Sequence, residues 1–400
     1  MKYFIIAGGS SGDLHASCVM KQLLRLDENA EFRFFGGDRM ARYGGEPVVH
    51  IRDMAYMGFV NVIAHLPEIA EIRRKAEREI MEFGPDHLIL VDYPGFNLRF
   101  AEFVKKHLPE VTIHYYIAPK LWVWKEWRLK AIKKYVDRMY SILPFETEWF
   151  GKRGYKVEYV GNPSVDAIAS FRKRGMEKDL FREVNGLDGR PVIALLAGSR
   201  MQEIKGCLKK MAGCAEAMKE YQFVVAAAPN VELERYREIL GEGSQLKIIQ
   251  NATYELLSIA TAAVVNSGTA TLEAALFRVP QVVVYDLFAG RLVMMFRHQI
   301  IRTEHVSLVN IIAQREVVKE LLCQYFTKEN TIRELKRVLG EKRGEILNGY
   351  EQIIRDLGPD GAAERVAKRI LGETGHAPSL QEMDFRGETR QASSLRNINE

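Results

Sequence analysis

The 400-residue sequence is poor in several things, and each shortage removes a class of function. It holds four cysteines, scattered without metal-ligand spacing, so neither a zinc framework nor a disulfide scaffold is written into it. Cys207 and Cys214 fall on the apolar stripe of Ile204 and Met211, which predicts buried thiols in a reducing, cytoplasmic setting. The nine histidines form no cluster. No acidic pair suited to a divalent ion stands out, and neither a metal nor a cofactor is expected. No apolar run approaches the ~20 residues that span a bilayer as a helix. The apolar start Tyr3–Ala7 is too short for a signal peptide, since Gly8, Gly9 and Asp13 follow at once. Net charge is only +5, too little for a strong polyanion-binding field, and no nucleic-acid partner is expected.

What is present is core. A 47% hydrophobic content over this length supports two domains. Apolar strands are predicted at Tyr3–Gly8, Glu31–Gly36, His87–Val91, Thr112–Ile117, Met139–Leu143 and Val157–Val160, with helical patterns between most of them. A second series starts at Val192 and continues through Phe223–Ala227, Leu246–Ile249, Ala263–Asn266 and Gln281–Tyr285. Such alternation predicts an α/β protein of two doubly wound, Rossmann-like domains, whose ligands bind at the carboxyl ends of the strands in a shared cleft. The divisions expected are 1–165, 166–340, C-terminal helices over 341–372 that pack on the first domain or on a partner, and a polar, disordered tail over 373–400.

Pro191–Arg200 reads as a buried strand, a Gly198-Ser199-Arg200 turn, and a helix carrying Ile204, Leu208 and Met211 at helical spacing. Such a turn offers backbone N–H groups to a phosphate, and Arg200 adds a planar cation; an ordinary βα turn is the alternative. Ala263–Glu273 repeats the device. A strand ends at Asn266, Ser267-Gly268 turns, and Thr269 opens a helix suited to a diphosphate, with Glu273 one turn on, able to accept from ribose hydroxyls. Asp92 follows the strand His87–Val91, where a carboxylate serves either as a general base or as a loop cap, with Asn97 capping the next helix. The glycine-rich Gly8–Asp13 turn is suited to an anionic acceptor, and its spacing departs from the dinucleotide-binding pattern.

Two stretches suggest contact with lipid. Met54–Leu66 is apolar although Gly58 interrupts it, and reads either as a buried irregular segment or as an exposed surface for acyl chains, with Met57, Phe59, Val60 and Val62 as the contacts. Trp122, Trp124 and Trp127 interleave with seven basic residues between Lys120 and Arg138. That pattern fits an interfacial aromatic belt involving Trp122 and Trp124, a surface for stacking nucleic-acid bases, or a plain amphipathic helix.

Taken in order, these motifs resemble the lipid-A-disaccharide synthase family. The resemblance runs from Tyr3 to Leu371 through Ser11-Gly12-Asp13, Asp92–Asn97, Trp122–Trp124, Leu143–Glu146, Gly161-Asn162-Pro163, Gly198–Arg200, Ser267–Glu273, Val306–Asn310 and Arg315-Glu316. The chain departs from the family pattern at Gly9 and Gly95, where acidic residues are usual, and at Ala197 and Val309, where proline is. The resemblance implies a GT-B fold and an inverting transfer of 2,3-diacylglucosamine from its UDP conjugate to the 6-hydroxyl of 2,3-diacylglucosamine 1-phosphate. It implies Asp92 as base and Arg200 as the second catalytic group. Gly198, Ser199, Arg200, Ser267, Gly268, Thr269, Glu273 and Asn310 would hold UDP, and Ser10, Ser11, Gly12, Asp13 and Asn97 the acceptor. A monomer or homodimer at the cytoplasmic face of the inner membrane is the matching expectation. The rivals are a UDP-sugar 2-epimerase, a non-catalytic binder of UDP-sugars or lipids and, more distantly, a dehydrogenase.

Overall fold

The computed structural model describes residues 1–53, 66–241, 243–286 and 304–372. The expected acyl-chain contacts Met57, Phe59, Val60 and Val62 lie outside the described residues, as does the tail from 373. The chain divides into two compact units: Met1–Leu121 with Lys125–Pro163 and the segment from Pro359, and Trp122–Trp124 with Ser164–Gly358.

Each unit is built on one parallel sheet. The first contains β1 (Lys2–Ala7), β2 (Glu31–Gly36), β3 (Val49–His50), β4 (His87–Val91), β5 (Thr112–Tyr116), β6 (Arg138–Ser141) and β7 (Glu158–Tyr159), in the order 3-2-1-4-5-6-7. The second contains β8 (Val192–Leu196), β9 (Gln222–Ala227), β10 (Lys247–Gln250), β11 (Ala260–Asn266), β12 (Gln281–Tyr285) and β13 (Glu320–Leu322), in the order 10-9-8-11-12-13. Helices cover both faces of such sheets, so inner strands are mostly apolar, and β8 and β9 are buried along their whole length.

Side chains alternate between two cores. Phe4, Ile6, Leu88, Leu90, Ile113 and Tyr115 face the helices Leu66–Phe83 and Pro94–His107. Tyr3, Ile5, Ala7, Ile89, Val91, Tyr116 and Tyr140 face the helix Ser10–Leu26 and, beside it, the last helix, Ala362–Ile370, through Ala363, Val366, Ala367 and Ile370. That last helix is pinned by Arg365 Nε, which donates to the Val160 carbonyl at 2.7 Å, and by an Arg369–Glu158 ion pair. The C-terminal helices therefore part company. Arg343–Leu357 packs within the second unit, and Ala362–Ile370 completes the first.

The order of each sheet reverses once. In the first, β1 and β4 are neighbours from which the chain winds outward in both directions; in the second the pair is β8 and β11. Ala7 pairs with Val91, and Leu196 with Val265, so the four loops leaving these ends stand side by side in pairs. This reversal is where doubly wound sheets bind ligands. The sequence reading missed β3 and β13, too short to show a period. It also missed the helices Asp38–Gly44, Pro163–Arg174, Lys178–Val184 and Leu308–Ala313. The helix expected over 126–135 begins as a tighter turn, Glu126–Arg128, before Leu129–Tyr135.

Candidate active site

At the carboxyl end of β4 the chain does something expensive. Asp92 and Tyr93 both adopt the left-handed region, with φ of 48° and 53°, which non-glycine residues rarely occupy. The surroundings hold them there. The Asp92 N–H donates to the Tyr116 carbonyl at 3.0 Å. The Asp92 carbonyl accepts from the Tyr115 hydroxyl at 2.5 Å and from Asn97 Nδ2 at 2.7 Å. Asn97 also donates to the Val91 carbonyl. Burial pushes the Tyr115 hydroxyl well above its ordinary pKa, so it stays a donor. Pro94 then starts the following helix with φ already set. The Asp92 backbone is thus clamped from within, and its carboxylate is left exposed.

Beside it, Gly8 is required by close approach, because a Cβ there would lie 2.6 Å from the Tyr93 ring. Ser10 and Ser11 are exposed at the first turn of a 17-residue helix whose start carries no side-chain cap, an arrangement that favours an anion. Gly12 is buried against Ala7.

Two expected acceptor contacts have other work. Asp13 is buried, and its carboxylate accepts from the backbone N–H groups of Gly37 at 2.7 Å, Met40 at 3.1 Å and Arg39 at 3.3 Å. It caps the helix Asp38–Gly44 from a neighbouring element and is not free to hold an acceptor. Asn97 is fully buried inside the helix Pro94–His107, so it is neither an acceptor ligand nor the cap of that helix, but a support for Asp92.

In the second unit Gly198 has φ 112°, and a Cβ there would lie 2.5 Å from Glu203 Oε2. That carboxylate accepts from the N–H groups of Ser199 at 3.1 Å and Arg200 at 3.3 Å. The backbone cradle expected at Gly198–Arg200 is therefore already filled by the chain's own anion at a helix start. The loop still presents the Arg200 guanidinium, 83% exposed and 3.8 Å from Glu203.

The partner loop is open. Gly268 and Thr269 are exposed, and a Cβ on Gly268 would meet nothing within 4 Å. Ser267 is the exception: its Oγ donates to the Val306 carbonyl at 2.8 Å and its N–H to the Val284 carbonyl at 2.9 Å, so both of its donors are taken and the diphosphate contact expected of it is not available. One turn into the helix Thr269–Leu276, Glu273 accepts from the Tyr254 hydroxyl at 2.9 Å. Burial raises the Glu273 carboxyl above the usual range, partly offset by that hydrogen bond. Asn310 is not a UDP contact. It is fully buried, donates to the Val318 carbonyl and Glu320, and accepts from the N–H groups of Val317 and Val318, which satisfies both ends of its amide.

Trp122 is buried and Trp124 half-buried, so these two do not form an exposed aromatic belt. Trp127 is the exposed one. Among the described residues no three His, Cys, Asp or Glu side chains come together as a metal set, and no helix is long and apolar enough to cross a membrane. Sequence reading missed Tyr115, Tyr254 and Glu203. Only Glu203 carried a signal, its helix-capping place three residues after Arg200.

A family profile described as lipid-A-disaccharide synthetase matches residues 3–363. The lipid-A-disaccharide synthase of Myxococcus xanthus is 36% identical over 389 residues, 92% of this chain and 97% of the relative. That of Geobacter sulfurreducens is 32% identical over 382 residues, covering 94% and 97%. Among solved structures, a UDP-GlcNAc 2-epimerase from Neisseria meningitidis superposes with TM-score 0.62 at 14% identity, covering 93% of this chain and all of that one. CalG4, the calicheamicin glycosyltransferase, gives 0.60 at 14% identity, covering 93% and 97%. At that identity the structural likeness speaks for the fold alone, which is GT-B.

Proposed function

The chain belongs to the lipid-A-disaccharide synthase family and is a hexosyltransferase of lipid A biosynthesis, and from that premise we propose its substrates and its mechanism. The donor is UDP-2,3-diacylglucosamine and the acceptor is 2,3-diacylglucosamine 1-phosphate. Asp92 removes the proton from the acceptor 6-hydroxyl as that oxygen bonds to the donor's anomeric carbon. The bond from that carbon to the diphosphate oxygen breaks, its electron pair leaves with UDP, and direct displacement inverts the anomeric centre. The products are a β-1,6-linked disaccharide 1-phosphate and UDP.

Charge grows on the diphosphate as the bond breaks. Arg200 and the open start of the helix at Gly268–Thr269 stabilise it. Ser199 and Gly198 shape the turn that aims Arg200. Glu273 receives the ribose hydroxyls, with Tyr254 orienting its carboxylate. Ser10, Ser11 and Gly12 form the helix start on the acceptor's unit. Both substrates are acylated and reside in a bilayer, which supports peripheral work at the cytoplasmic face of the inner membrane.

The observation that carries this reading is the clamped left-handed pair at Asp92-Tyr93, which exposes a carboxylate at the sheet's reversal point. The test is UDP release from synthetic donor with and without acceptor. Wild type releases UDP only with acceptor, and both Asp92→Ala and Arg200→Ala abolish release while retaining the fold by circular dichroism. Release indifferent to acceptor points instead to epimerase-like or hydrolytic chemistry, and no release points to a binding protein.

A further inference from the structure

Arg128, one of the seven basic residues between Lys120 and Arg138, closes the short turn Glu126–Arg128 in the first unit. Its guanidinium is half-buried and, among the described residues, forms no ion pair. The acid nearest in sequence, Glu126, is already held by Arg153 at 2.6 Å. Arg128 leans on the exposed Trp127 ring, 5.6 Å from its centroid, which limits its freedom. Its Nη2 lies 3.4 Å from where a side chain on Gly95 would begin, and nothing else comes within 4 Å of that point. Gly95 is exposed and stands three residues after Asp92. The guanidinium therefore borders the Asp92 turn, and it interacts electrostatically with Tyr115, whose hydroxyl clamps that turn.

A partly desolvated guanidinium without a counter-anion is unfavourable, and burial works against its charge. Its planar donors match a phosphate oxygen pair. Gly95 leaves the approach open, where any side chain would project toward Nη2. Building on the reading above, in which the acceptor is a sugar 1-phosphate, we infer that Arg128 anchors the acceptor's phosphate monoester and so selects phosphorylated over phosphate-free acceptors. The phosphate and the 6-hydroxyl stand at opposite ends of one sugar ring. Holding the first beside Gly95 restricts where the second meets Asp92.

The test uses the full chain in detergent micelles, with the acceptor 1-phosphate and a second acceptor lacking the phosphate. Arg128→Ala raises the acceptor KM about 10- to 100-fold, leaves UDP affinity within twofold, and Arg128→Lys restores part of the loss. Removing the phosphate costs wild type a similar factor and costs Arg128→Ala little more, because both changes delete one interaction. Direct binding of acceptor to Asp92→Asn, with and without Arg128→Ala, gives the same ratio without turnover. The assignment is overturned if Arg128→Ala keeps the wild-type preference for the phosphorylated acceptor. It is also overturned if the variant loses only its binding to anionic phospholipid vesicles, which would make Arg128 a contact for membrane headgroups. A wild-type chain with no acceptor-dependent UDP release would instead sink the transferase reading itself.

Discussion

Each unit presents a charged group where the order of its sheet reverses, Asp92 after β4 and Arg200 after β8, the counterpart of β1, and the two are prepared in opposite ways. In the first, the loop after β4 turns inward for support. Its carbonyl is gripped by Tyr115 and Asn97, two non-glycine residues are forced into left-handed backbone, and a carboxylate emerges. In the second, the loop after β8 uses glycine for its one left-handed residue. It satisfies its own N–H groups with Glu203, and a cation emerges. In the mechanism proposed above a base must stay at a fixed angle to a hydroxyl, and the strained, clamped backbone of the first loop suits that need. In the same mechanism a diphosphate tolerates several approaches, which suits a long arginine on a relaxed loop.

Four experiments break or sharpen this contrast. Asp92→Asn keeps the shape and removes the proposed base, so kcat should fall about a thousandfold with UDP affinity unchanged, read by turnover and by UDP titration. Gly198→Ala forces a side chain into left-handed backbone against Glu203, and should cost about 2–4 kcal/mol in chemical denaturation; a silent substitution would show that the second loop is not glycine-dependent. Tyr115→Phe loosens the clamp. We expect a loss of about 1 kcal/mol in stability and about tenfold in kcat, with acceptor KM nearly constant.

The smallest effect concerns Glu273, whose carboxyl burial raises. Only its ionised form accepts from both ribose hydroxyls, so UDP affinity should climb about three- to tenfold as pH rises through the raised value, and Glu273→Gln should flatten that rise. Stability moves the other way. It is fullest below the ordinary carboxylate range and declines as pH climbs toward the raised value, because unfolding lets the group ionise in water.

Most of the fold was legible in the sequence because a parallel strand buried on both faces is a continuous apolar run, and β1, β4, β8 and β11 are such runs. The loops after them were legible for the same reason, since glycine and hydroxyl residues directly behind a buried strand mark the turn. What a polar residue does inside a motif was not. Asp13, Asn97 and Asn310 stand in loop or helix-start motifs, and each is turned into the protein to satisfy backbone groups. Asp13 alone carried a warning, being in helical register with the buried Ala16 and Met20. Tyr115 looked like one more core aromatic of β5. Its hydroxyl gains a role only when β4 is laid beside it.

The last helix has a consequence for how the chain is made. The face of the first sheet formed by Tyr3, Ile5, Tyr116 and Tyr140 is covered in part by Val366 and Ile370. On the ribosome these two emerge only after the whole second unit has been synthesised. The domain begun first is therefore finished last, and it waits with apolar surface uncovered while its successor folds. A chain ending before Pro359 would keep that surface bare for good, and aggregation rather than a missing activity would be its first symptom.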